Sequence, residues 1–320
     1  MIRAGIIGGA GYAGGELLRL LWRHPEVTLA FVHSDSQKDK PVAAVHDDLW
    51  GECDLVFTTS IDWTVDVLFL CSAHGKSKVF VETHAAEIRP ELLLIDLSQD
   101  YRLDLGFVYG LPELHSKAIR KSKRIANPGC FATAIQLALL PLAKEGMLTH
   151  EVHINAITGS TGAGQSLQET THFSWRSDNV SIYKPFGHQH LAEIGQSLTF
   201  LQPDLKAPLH FIPVRGGFTR GIFASVYTHT EADFGTLQEL YDSFYEKAPF
   251  AHVIDPNPHL KQVVNTNNCY VHLEKHGDQV LIISVIDNLL KGAAGQAVQN
   301  MNLALGLEEQ MGLELKAGVF

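Results

Sequence analysis

The stretch Gly8-Gly-Ala-Gly-Tyr-Ala-Gly14 limits the fold more than any other part of the chain. A short apolar strand, Arg3 to Gly8, runs into it, and a leucine-rich helix, Ala13 to Arg23, leaves it. A glycine-rich turn between a first strand and a first helix is the context of a dinucleotide-binding loop. Gly8 ends the strand where a side chain would block the turn. Gly11 lets backbone N–H groups approach a pyrophosphate, and Gly14 lets the helix sit close to the sheet. Leu17, Leu18, Leu20 and Leu21 form the expected buried side of that helix.

The first half then alternates strand and helix. Val27 to His33, Val67 to Cys71, Leu92 to Asp96 and Arg124 to Ala126 are the expected strands. The runs at 67 and 92 are short and continuously apolar, as in a parallel sheet covered on both faces. The second half reads differently. Strands are expected at Val152 to Thr158, Leu209 to Val214, Gly221 to Thr230, Cys269 to Leu273 and Gln279 to Ile286, with helices at Gly235 to Lys247 and Gly292 to Leu305. The fold class is therefore α/β: a Rossmann-type doubly wound parallel sheet plus an α+β catalytic domain with a largely antiparallel sheet. Residues 1–129 with 290–320 are expected to form the dinucleotide-binding domain. Residues 130–289 are expected to form the catalytic and oligomerisation domain. The small residues of the last helix, Ala293, Ala294 and Ala297, suit close packing on the first domain.

Composition excludes some classes. A net charge of −10 argues against general nucleic-acid binding. No apolar run is long enough to span a bilayer, and Met1 to Gly8 leads straight into a strand without a signal segment. Cys53, Cys71, Cys130 and Cys269 form no C-x-x-C pair and read as reduced thiols of a cytoplasmic protein.

The segment Asn127-Pro-Gly-Cys-Phe-Ala-Thr133 carries the chemistry. It puts Cys130 at a tight turn that opens an apolar helix, Phe131 to about Glu145. The unpaired N–H groups and positive dipole of a first turn stabilise a thiolate, which can attack an acyl carbon. A cofactor loop and a poised cysteine together suggest a reductase working through a thioester. Asp35 follows the second strand, where an acid favours a ribose hydroxyl and so NAD. Ser34, Ser36 and Lys38 could instead hold a 2′-phosphate with Asp35 turned away. The residues alone leave NAD and NADP open. Ser72 and His74 follow another parallel strand, where open α/β sheets bind ligands.

Further stretches are Cys71-Ser-Ala-His-Gly-Lys-Ser77, Asp96-Leu-Ser-Gln-Asp-Tyr-Arg-Leu103, Tyr109-Gly-Leu-Pro-Glu113 and Gly159-Ser-Thr-Gly-Ala-Gly164. Beyond these come His188-Gln-His-Leu-Ala-Glu-Ile194, Phe218-Thr-Arg-Gly-Ile222 and Asp287 to Asn300. Taken in order along nearly the whole chain, they resemble the N-acetyl-gamma-glutamyl-phosphate reductase family of arginine biosynthesis. The resemblance implies NADP(H) as cofactor and an acyl phosphate as substrate, with a semialdehyde and inorganic phosphate as products. It implies Cys130 and His188 as catalytic residues, with His188 as acid–base group and His190 and Tyr183 nearby to orient it. Gly8, Gly11, Tyr12, Gly14, Ser34, Ser36, Ser72, Gly162 and Asn288 are the expected cofactor-binding residues, Asn288 beside the nicotinamide. Ser98, Arg102, Asn127, His190 and Arg220 are the expected substrate-binding residues, since a guanidinium fork suits phosphate and carboxylate. Arg215 is a further cation that could hold a second carboxylate. The chain departs from the family in having Gln189 where arginine is usual between the histidines, which removes one cation.

The His-x-His segment lacks a third and fourth ligand at useful spacing, so no metal is expected. The expected partners are small molecules and further copies of the chain, as a homodimer or homotetramer, with neither nucleic acid nor membrane. The alternatives are the N-succinyl or aminoadipyl analogue of the same reaction, or a non-catalytic dinucleotide-binding redox sensor that uses Cys130 as a regulatory thiol.

Overall fold

A computed structural model describes Met1–Gly318. The chain folds as two compact units, Met1–Gly129 with Ala293–Glu314, and Cys130–Gly292 with the stretch from Leu315.

The first unit contains β1 (Ile2–Ile7), α1 (Tyr12–Trp22), β2 (Val27–His33), β3 (Phe57–Thr58), β4 (Val67–Leu70), α2 (Lys76–Thr83), β5 (Leu93–Asp96), β6 (Val108–Tyr109), α3 (Pro112–Ile119) and β7 (Arg124–Ala126). Their sheet has the order β3-β2-β1-β4-β5-β7-β6, with every pairing parallel. Strand order reverses between β1 and β4, so the loops after these two strands open at the crevice where such sheets take ligands. All residues of β4 and β5 are buried, which explains their unbroken apolar runs. Leu17, Leu18, Leu20 and Leu21 are buried on α1 as expected. The C-terminal helix Ala294–Leu305 belongs to this unit and packs on α1 and α3.

The second unit contains α4 (Cys130–Lys144), β8 (Val152–Thr158), α5 (Phe173–Arg176), β9 (Ser181–Ile182), α6 (His190–Leu201), β10 (Leu209–Arg215), β11 (Ile222–His229), α7 (Phe234–Tyr245), β12 (Ala251–Val253), β13 (Cys269–His276) and β14 (Gln279–Ile286). The sheet order is β12-β13-β14-β11-β8-β10-β9. Only β8–β10 and β12–β13 pair in parallel, so the sheet is largely antiparallel.

α4 is buried from Phe131 to Ala143, as a helix apolar all round must be. It packs on β11, β13 and β14 and against α6 and α7. Pro141 lies inside it and has no N–H for the carbonyl of Leu137. The Tyr245 hydroxyl on α7 donates to that carbonyl at 2.5 Å, and Tyr241 donates to the carbonyl of Ala138 at 2.6 Å. The Tyr245 phenol thus replaces the donor that Pro141 lacks, and the Tyr241 phenol adds a bond to the next carbonyl.

Candidate active site

In the first unit the glycine loop has the form its sequence requires. Gly8 has φ +76°, and a Cβ there would come within 2.9 Å of the Cys71 carbonyl oxygen. The loops after β1 and β4 therefore touch, which brings Ser72 beside Gly8. A Cβ on Gly14 would stand 2.7 Å from the Cα of Gly9, so α1 sits as close to the loop as a helix can. Gly11 is different. A Cβ on it would meet nothing nearer than 3.9 Å, so packing does not demand this glycine. It opens α1 with no side-chain cap, and its bare backbone leaves room for a phosphate at a helix N-terminus. Tyr12 follows and is partly exposed. These features fit a dinucleotide.

At the end of β2, the Asp35 side chain is 88% exposed, with His33 Nε2 3.6 Å from its Oδ1. Ser34 is buried, and its hydroxyl lies 3.5 Å from that of Ser36. The carboxylate thus faces solvent while two hydroxyls meet, an arrangement that suits a 2′-phosphate. After β4, His74 Nδ1 accepts the N–H of Gln99, so its ring braces a neighbouring loop.

Ser98, Arg102 and Asn127 are all buried, and Arg102 and Asn127 meet at the turn that precedes Cys130. Asp96 accepts from the Ser98 hydroxyl at 2.8 Å and from its N–H at 3.1 Å. Burial raises the Asp96 carboxyl above the usual carboxylate range, against the pull of Ser77, Ser98 and Arg102. Arg102 Nε donates to the Asn127 carbonyl at 2.9 Å, and its Nη2 donates to the Leu97 carbonyl at 3.2 Å. The Asn127 amide donates to the Ala293 carbonyl and accepts from Asn300. Arg102 and Asn127 brace this turn, while Ser98 ties off the end of β5 through Asp96.

In the second unit, Cys130 is the first residue of α4 and half-buried. The tyrosine expected near the histidines, Tyr183, lies close enough for a Cys130 thiolate to affect it. Burial first, and then that negative charge, push its phenol up to about 12. The Arg215 guanidinium lies 4.7 Å from the centre of the Tyr183 ring. Its buried Nε meets no acceptor among the described residues. His188 and His190 stand together with ring centres 4.6 Å apart. Phe131, Phe211 and Tyr183 surround His188 edge-on. Burial, then Lys184 and Arg215, push its imidazole down to about 4. Gln189 is exposed and accepts from Lys184 Nζ at 3.3 Å, so its missing charge falls on the solvent side. His190 opens α6, with Nε2 3.8 Å from Glu193.

Arg220 and Asn288 lie in the same unit as Cys130. Arg220 donates from Nε and Nη2 to the fully buried Asp287 at 3.0 and 3.2 Å. The Asn288 carboxamide accepts from the Gly221 N–H at 2.7 Å and donates to the Thr161 hydroxyl at 3.0 Å. It thereby pins the Gly159–Gly164 loop, which includes Gly162, to the turn after β14. Gly292 was not picked out from the sequence as a site residue. A Cβ on it would come within 2.7 Å of the Cys130 Cβ and 2.6 Å of the Asn288 carbonyl oxygen. The backbone of the 288–292 turn therefore lies directly against the cysteine. The small-residue run Gly292-Ala-Ala-Gly295 was the available signal for this.

Comparison with known proteins follows the same division. A family model for the semialdehyde dehydrogenase NAD binding domain matches residues 3–122, and one for the semialdehyde dehydrogenase dimerisation domain matches residues 130–288. N-acetyl-gamma-glutamyl-phosphate reductases of Azobacteroides pseudotrichonymphae and Parabacteroides distasonis are 57% and 55% identical, over 100% of this chain and 100% of theirs. That of Bacteroides fragilis is 56% identical over the same extent. The solved aspartate semialdehyde dehydrogenase II of Vibrio cholerae, complexed with ASA, superposes with a TM-score of 0.77 at 18% identity, covering 96% of this chain and 98% of that one. The Candida albicans enzyme with NADP gives 0.72 at 13% identity, covering 95% and 98%. At such identities the likeness is one of fold.

Proposed function

The chain belongs to the N-acetyl-gamma-glutamyl-phosphate reductase family, and from that premise we propose how its residues carry the reaction. It is an NADPH-dependent reductase that converts N-acetyl-gamma-glutamyl phosphate to N-acetylglutamate 5-semialdehyde and inorganic phosphate, a step of arginine biosynthesis. Cys130 is the nucleophile. Its place at the first turn of α4, grouped with Tyr183, His188 and Arg215, is the observation that carries this assignment. The first-turn N–H groups and Arg215 favour a thiolate, which attacks the γ-acyl carbon and displaces phosphate. Bound NADPH supplies the hydride that reduces the resulting thioester. His188 serves the acyl oxygen in both steps. The first unit binds the cofactor through Gly8, Gly11, Tyr12 and Gly14, with Ser34 and Ser36 toward the 2′-phosphate and Ser72 at the adjoining loop.

Ser98, Arg102, Asn127 and Arg220 act through the turns they hold, because each bonds a carbonyl or a carboxylate of the chain itself. Arg215 holds an anionic group of the substrate. Self-association as a homodimer falls to the second unit, where His153, His210 and Tyr227 stack on the outward side of β8, β10 and β11. Sedimentation analysis of the chain tests this, and a monomer at micromolar concentration would refute it. No helix among the described residues is long and apolar enough to cross a membrane.

The reaction is tested in reverse. Enzyme, semialdehyde, NADP and inorganic phosphate should give phosphate-dependent formation of reduced cofactor, which Cys130→Ser abolishes. No turnover with any semialdehyde would favour a redox sensor and refute the assignment.

A further inference from the structure

His188 is more than a neighbour of α6, because its side chain accepts a hydrogen bond from the helix. The backbone N–H of His190, the first residue of α6, donates to His188 Nδ1 at 3.2 Å. Nδ1 is thereby an acceptor, and the single ring proton of a neutral imidazole must sit on Nε2. To act as a base at Nε2, the ring would need its proton on Nδ1, facing the His190 N–H. The imidazolium meets the same collision. The surroundings agree. His188 is 5% exposed, between the edges and faces of Phe131 from α4 and Phe211 from β10. Lys184 from its own loop and Arg215 from β10 are the cations that face it. Tyr183 and His190 are the titratable rings beside it, with Glu193 on the far side of His190.

We propose that His188 works as a fixed, neutral hydrogen-bond donor, its Nε2–H polarising the acyl oxygen of the group on Cys130, and that it does not accept the cysteine proton. The proposal rests on the thioester reading and deepens it. The bond changes balance without a proton from this ring. The thiolate forms a C–S bond, the C–O bond to phosphate breaks, and the departing phosphate is protonated by water. Hydride adds to the thioester carbon and leaves an oxyanion. The C–S bond then breaks, releasing aldehyde and restoring the thiolate. Negative charge gathers on the same oxygen in each step, and an aimed N–H stabilises it. A helix N-terminus that keeps an imidazole neutral is an established way to make such a donor.

Glutamine places its amide N–H near the Nε2 position but cannot act as a base. His188→Ala should lower kcat by about 10²–10³, the usual loss on removing one oxyanion donor. His188→Gln should recover at least about tenfold of that. Iodoacetamide labelling of Cys130, followed on its own peptide from about pH 5 to about pH 9, should keep the wild-type pH profile in both variants. Equal loss in the two variants, or a labelling profile moved up by about one pH unit in both, would overturn the proposal. In the wild-type protein, ¹⁵N spectra of labelled histidine should show neutral His188 with its proton on Nε2 at neutral pH. A cation or an Nδ1–H tautomer there would also overturn it. Failure of the thioester reading would look different: Cys130→Ser would keep its turnover, or Cys130 would carry no acyl group after incubation with acyl phosphate alone.

Discussion

Asp287→Asn and Arg220→Ala together decide whether Arg220 serves the fold or the ligand. Asp287 is fully buried, and Arg220 retains only 19% side-chain exposure. The carboxylate accepts from Arg220 Nε and Nη2 and from the backbone N–H groups of Asn265, Leu289 and Leu290. Asparagine would keep one oxygen and turn an NH₂ toward these donors, while Arg220 would lose its counter-charge. Breaking a buried pair from one side costs about 3–5 kcal/mol. For a unit of this size, about 2–4 °C of Tm goes with each kcal/mol, so Asp287→Asn should lower Tm by about 6–20 °C. Arg220→Ala leaves the carboxylate its three backbone donors. It should cost less, about 1.5–3 kcal/mol for a charged hydrogen-bonded contact. The double variant should be clearly less damaged than the sum of the two, as residues of one network are. Calorimetry gives the Tm values, and KM for the acyl phosphate is measured on the same preparations. If Arg220→Ala leaves Tm within about 1 °C while KM rises about tenfold or more, the fork belongs to the substrate and a structural role for Arg220 is refuted.

Gly292→Ala should reduce kcat at least about 10²-fold by displacing Cys130, measured as turnover alongside an unchanged helical circular dichroism signal. Tyr245→Phe should lower stability by about 1–3 kcal/mol in urea unfolding, because the Leu137 carbonyl of α4 loses its phenol donor. Arg215→Ala should reduce kcat/KM equally for N-acetyl and N-succinyl substrates, because Arg215 packs on Tyr183 near the reacting sulfur, the end common to both. Acidification should destabilise the protein between the ordinary histidine range and about 4, because the folded His188 resists the proton that the unfolded chain accepts. This contribution is absent above pH 6.5, grows as pH falls, and reaches about 3 kcal/mol once pH is below 4. Tm measured against pH should show it, and His188→Gln should flatten the slope.

The parallel sheet was legible because its strands are short apolar runs and its first loop is spelled in glycine. Elements that bury little were not. In α2, only Ser77 is buried, so no apolar stripe marks it. Helix α3 is kinked at His115, and β3, β6 and β9 are two residues each. The helix α6 carries a helical pattern in Leu191, Ile194, Leu198 and Leu201, but Leu191 and Leu201 are only half-buried, so its stripe is weak. At the site, Cys130 and the histidines were visible as residue types at telling spacings. The partners of the cations were not. Arg220 reads as a free guanidinium until β14 delivers Asp287 to it, and Arg102 until the turn at Asn127 offers its carbonyl. Such pairings cross 25 and 67 residues, beyond any local signal. The choice between NAD and NADP also depended on where Asp35 points, which composition does not encode.

A helix whose backbone bonds are all internal can shift along its neighbours as one rod. The helix that begins with Cys130 lacks that freedom, because Pro141 has handed one of its carbonyls to a phenol on α7. Any travel of the nucleophile along its own axis would have to tear two tyrosines from their acceptors. The sulfur is therefore mounted on a bolted post, and substrates must come to it.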